Sequence, residues 1–133
     1  MSVSVLIISH EEIGAALIQT VTKAFEELPL PTTVVSVSSN DDPELLIPKL
    51  KQLVKNIGSA AGILILTDLF GSTPSNIAKA LQEEAKVRIV SGLNLPMLMR
   101  VMNYPDLPLE ELAEKAISGG REGVIDPDEA QNA

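Results

Sequence analysis

Four short runs of β-branched and aliphatic residues, at 3–8, 32–37, 63–66 and 87–90, are separated by stretches whose apolar residues recur every three or four positions. Short apolar runs of this kind read as buried strands, and the intervening spacing reads as helices with one apolar face. Ile13, Ala16, Leu17, Val21, Ala24, Phe25 and Leu28 form the first such face, ended by Pro29 and Pro31. Leu46, Leu50, Leu53, Val54 and Ile57 form the second, entered through a turn at 39–43, with Pro48 in its first turns and Gly58 as a C-cap. Thr73 as N-cap with Pro74 at the first helical position opens a third helix, which buries Ile77, Ala78 and Leu81. Two more helices are expected, a short one over 95–102 and another from about 109 to 117. The glycine-rich segment 119–125 has room for one small edge strand, and 126–133 reads as a polar, fraying tail. Strand and helix in alternation predict an α/β fold with a mostly parallel sheet of four strands, the very apolar run 63–66 lying near its centre.

Composition narrows the function. A chain of 133 residues suits one domain, taken as 1–125 with the tail 126–133 beyond it. The absence of cysteine excludes disulfides and thiol catalysis, and a single histidine excludes a poly-His metal site. A formal net charge of −8 repels a phosphate backbone or an anionic membrane surface, and 2% aromatic residues are too few for a base-stacking platform. An acidic chain is better matched to a basic protein partner. The N-terminal apolar run has no basic residue before it, unlike a signal peptide, and no run approaches the ~20 residues of a membrane span. The expectation is a soluble, cytoplasmic protein.

In a parallel sheet, ligands bind beyond the carboxyl ends of the strands. Ser9-His10-Glu11 follows the first strand, 68–73 the third and 91–94 the fourth, so the only histidine and Asp68 fall on one edge. If the first and third strands are neighbours, His10 and Asp68 flank one crevice. A free imidazole, with a pKa near ~6.5, is largely neutral at pH 7 and nucleophilic. A carboxylate that accepts one ring N–H fixes the tautomer and stabilises the cation formed when the other nitrogen attacks. The Thr73 hydroxyl and the backbone N–H groups of the Gly71-Ser72-Thr73 turn could receive a phosphoryl group at a helix start. Spacing alone leaves plainer readings standing. His10 could be structural, Asp68 a loop cap, 71–76 an ordinary turn, and Met97, Met99 and Met102 core or interface.

Several segments together resemble a known family. Ile7-Ile8-Ser9-His10 is similar to the active-site segment of the IIA domain of the mannose family of the bacterial phosphoenolpyruvate-dependent sugar phosphotransferase system. Thr67-Asp68-Leu69-Phe70-Gly71-Ser72-Thr73-Pro74-Ser75-Asn76 is similar to its Asp-Leu-Phe-Gly-Gly-Ser-Pro-x-Asn signature. Val90-Ser91-Gly92-Leu93-Asn94-Leu95-Pro96-Met97-Leu98 resembles its Ser-Gly-x-Asn-Leu-Pro-Met motif, and Gly120-Arg121-Glu122-Gly123 also matches.

The resemblance implies a doubly wound sheet and a phosphocarrier, a protein-histidine phosphotransferase. His10 would accept a phosphoryl group from phospho-HPr on the nitrogen not held by Asp68 and pass it to a IIB partner. It also implies a homodimer exchanging a C-terminal strand, here Glu122 to Ile125, and no metal or nucleotide. Two departures stand out. Glu11 replaces the family's usual glycine after the histidine, and Ser72-Thr73 replaces Gly-Ser. Three alternatives remain at this point: a regulatory interaction module switched by phosphorylation of His10, the phosphocarrier of a dihydroxyacetone kinase system, and a non-catalytic domain with a structural His10. The sugar and the downstream partner are not encoded in these motifs.

Overall fold

The computed structural model describes residues 2–131. Among them, four strands and six helices follow in the order β1 (Ser4–His10), α1 (Ile13–Phe25), β2 (Thr32–Val37), α2 (Pro43–Ile57), β3 (Ile63–Thr67), α3 (Thr73–Ala80), β4 (Val87–Ser91), α4 (Leu95–Met102), α5 (Leu109–Glu122) and α6 (Pro127–Gln131). All strand pairings are parallel, and the sheet order is β2-β1-β3-β4. The expected α/β fold is therefore present and doubly wound.

The sheet is continuous in apolar residues because it is covered on both faces. Val5, Ile7, Leu64 and Leu66 pack under α1, α4 and α5, while Leu6, Ile8, Ile63 and Ile65 pack under α2 and α3. All eight are at most 1% exposed, and burying each such side chain contributes about 1.5–3 kcal/mol. The chain order reverses between β1 and β3, which creates a crevice at their carboxyl ends.

Helix boundaries follow from caps. Asp42 accepts from the Glu44 N–H at 3.0 Å to open α2, and Gly58, in the left-handed region at φ +56°, closes it. In α3, Ser72 occupies the N-cap position expected of Thr73, and Thr73 is the first helical residue. The inward face of α1 is rotated from the expected stripe. Gly14 and Val21 are buried with Leu17, Ile18 and Phe25 packed against the core, whereas Ile13 is 45% exposed and Ala16 and Ala24 face solvent. Gly14 permits this approach, since a Cβ there would lie 2.5 Å from Ser9 Oγ.

The C-terminal region departs most from expectation. Instead of ending near residue 117, α5 runs through Gly119 and Gly120 to Glu122. These glycines allow α5 to press against α4, since a Cβ at 119 would lie 2.5 Å from Arg100 Cβ. Glu122 is thus helical, and residues 123–126 form no strand within this chain. The expected polar tail contains α6, opened by a bond from the Asp128 N–H to Asp126 Oδ1 at 2.9 Å. Residues 132 and 133 of that tail lie outside the described residues. Alanine normally favours a helix over glycine by about 1 kcal/mol. Here Gly119→Ala is expected to lower stability by about 1–3 kcal/mol, because the overpacked α4–α5 contact outweighs propensity. A urea unfolding midpoint at or above that of the native protein would contradict this packing account.

Candidate functional site

His10 is the last residue of β1, not the loop residue expected, and is held in register against Val37 of β2. On the other side, Ile8 pairs with Thr67, the last residue of β3, so Asp68 emerges beside the end of β1. Asp68 Oδ2 accepts the backbone N–H of His10 at 3.1 Å and lies 2.8 Å from His10 Nδ1. An ionised carboxylate can only accept, so Nδ1 carries the proton in this contact, and Nε2 lies outside it. The Asp68 side chain is 8% exposed and that of His10 is 40% exposed, which leaves the ring accessible and its anchor covered. The sequence-based pair is thus brought into contact, because β1 and β3 are the neighbours that this pairing required.

A cleft of about 350 Å³ opens beside His10, with Glu11, Val37, Ser38, Ser39, Asp41, Pro43 and Thr73 as its walls. Thr73 therefore shares a cleft with His10. Ser72 is arranged differently, because its hydroxyl donates to the Leu69 carbonyl at 2.5 Å and braces the turn. Gly71, at φ +81°, borders a neighbouring depression with Phe70, Lys79 and Ser91.

Several supporting residues were not singled out from the sequence. Buried Ser9 accepts the Gly14 N–H at 2.9 Å and supplies the anchor that Glu12, at the N-cap of α1, does not. The hydroxyls of Thr67 and Ser91 lie 2.8 Å apart across the ends of β3 and β4. In the 91–94 loop, Asn94 accepts the Met97 N–H at 2.9 Å and donates to the Gly120 carbonyl at 3.1 Å. That third candidate loop thus joins α4 to α5 and does not border the His10 cleft. Met97 and Met102 lie in the core. Among the described residues no group of three or more His, Cys, Asp or Glu side chains could hold a metal, and no helix is long and apolar enough to cross a membrane.

Residues 4–117 match the EIIA-man family, described as PTS system fructose IIA component. The chain belongs to that family. It is 30% identical over 87 residues to the mannose-specific EIIAB component of the PTS system of Escherichia coli strain K12, covering 63% of this chain and 27% of that protein. It is 34% identical over 71 residues to the fructose-specific EIIA component of Bacillus subtilis strain 168, covering 52% of this chain and 49% of that protein. The chain thus spans about half or less of these relatives. In three dimensions it is similar to the mannose/sorbose specific IIA subunit of Enterococcus faecalis, with a TM-score of 0.85 at 27% identity over 95% of both chains. EIIA from Streptococcus agalactiae shares the fold, with a TM-score of 0.80 at 24% identity over 95% of this chain and 98% of that one.

In this IIA component, burial acts to raise the Asp68 pKa. The hydrogen bonds from the His10 ring and backbone, a backbone N–H of its own and the attraction of His10 outweigh that effect and hold it below the usual 3.8. A depressed carboxylate stabilises the fold above its unfolded pKa and loses that contribution as pH falls through the folded value. The stability advantage of the native protein over Asp68→Asn, followed by urea unfolding from pH 5 downward, should therefore shrink as the pH falls below about 4. An advantage that grows between pH 4 and pH 2 would contradict this linkage.

Proposed function

We propose that His10 is the phosphorylated nucleophile of a phosphocarrier, a IIA component acting in sugar uptake. The observation that carries this reading is the ring anchored through Nδ1 by a covered carboxylate, on a side chain that is 40% exposed. The Nε2 lone pair attacks phosphorus of an incoming phosphohistidine, the donor's P–N bond breaks, and the electron pair returns to the donor imidazole. The Nδ1–H stays on His10, and Asp68 stabilises the positive ring. Thr73, on the cleft wall, offers a hydroxyl to the phosphoryl oxygens. Ser72 and Gly71 shape the turn that presents it.

Phospho-HPr is the donor in this reading and a IIB protein the acceptor, in the cytoplasm, with residues 1–125 as the phosphocarrier unit. A homodimer is part of the proposal. It is supported by β4 standing at a sheet edge and by Val124 and Ile125, 82% and 62% exposed, in a segment that pairs with no strand of its own chain.

Incubation with phosphoenolpyruvate, enzyme I and HPr should add one acid-labile phosphate that maps to His10 and is absent from His10→Ala. Asp68→Asn should remain folded and accept phosphate roughly 10- to 100-fold more slowly, as expected when the partner orienting an imidazole is lost. Unmodified native protein, or an unchanged rate in Asp68→Asn, would contradict the proposed mechanism.

A further inference from the structure

Two further charged side chains border the His10 cleft, Glu11 and Asp41, and both are acidic. Glu11 sits at φ +45°, a conformation unusual for a residue with a side chain, and its N–H donates to the Val37 carbonyl at 3.0 Å. This fixes its backbone directly after the nucleophile. Its Oε1 accepts the Ser39 N–H at 3.3 Å, and Asp41 Oδ2 accepts the Ser38 N–H at 2.7 Å. The β2 side of the cleft therefore already holds two anions on the backbone donors that a phosphoryl oxygen could otherwise use. Among the described residues bordering the cleft there is no lysine or arginine. A phosphoryl group brings a further charge of about −2 to the same space. No basic side chain bordering the cleft balances that charge.

We infer that Glu11, assisted by Asp41, selects the phosphoryl donor. Its carboxylate receives a basic side chain that the donor protein carries beside its phosphohistidine, and it opposes a donor that brings phosphate charge alone. This rests on the phosphocarrier reading and adds a specificity-determining residue to it. Glu11 is not needed to attack phosphorus. It makes the rate depend on what accompanies the phosphate.

Two donors separate these effects. Phospho-HPr is the protein donor. Phosphoramidate is the small one, whose P–N bond breaks to release ammonia as the Nε2–P bond forms. Native protein, Glu11→Gln and Asp41→Asn are compared, since each amide keeps an oxygen for its backbone donor, and unfolding midpoints verify that the variants fold. From phospho-HPr the variants should take phosphate roughly two- to fivefold more slowly, with a shallower dependence on added salt. From phosphoramidate they should take it faster than the native protein. A rate from phospho-HPr that rises or stays unchanged overturns the inference and leaves His10 as the carrier. A fall with both donors also overturns it, because Glu11 would then act only through the His10 ring. Failure of native His10 to take phosphate from either donor removes the phosphocarrier reading itself, and this inference with it.

Discussion

The two hydrogen bonds that Asp68 Oδ2 accepts from His10 require β1 and β3 to be neighbours whose carboxyl ends are nearly level. A shift of one residue in that register would turn every side chain of a strand to the opposite face. The Val5-Ile7 and Leu6-Ile8 sets would then exchange cores, so burial on both faces holds the register that the site needs. His10 stands at the end of a central strand, not on a loop.

Around that contact, the remaining polar groups act as braces. Ser9 ties the start of α1 to the end of β1, the Thr67–Ser91 pair ties β3 to β4, and Asn94 joins α4 to α5. Asp68 itself is covered but stays easily ionised, because the hydrogen bonds from His10 outweigh the effect of burial. An ionised partner is what fixes the imidazole tautomer, so the electrostatics and the geometry serve the same end.

The four strands and the shared carboxyl edge that carries His10 and Asp68 were legible because a sheet buried on both faces needs unbroken apolar runs, and parallel strands present functional residues at their carboxyl ends. That β1 and β3 are neighbours, which brings the pair into contact, was left as a condition by the sequence. The length of α5 was not legible, since Gly119 and Gly120 look like breakers until their contact with α4 is seen. The rotation of α1 had the same origin, set by close packing at Gly14. The extension of β1 to His10 depends on its pairing with Val37, and the cleft wall formed by Glu11 and Asp41 depends on side chains bonding to a loop remote from Glu11 in sequence. Local patterns carry no signal for such contacts.

The central claim is that Asp68 holds Nδ1 so that Nε2 reacts. With one histidine in the chain, nitrogen and phosphorus NMR of protein labelled with ¹⁵N-histidine reads this without ambiguity. The account predicts a protonated Nδ1 before transfer and a phosphorus–nitrogen coupling to Nε2 after it. A proton on Nε2 in the free protein, or phosphate on Nδ1, would contradict it.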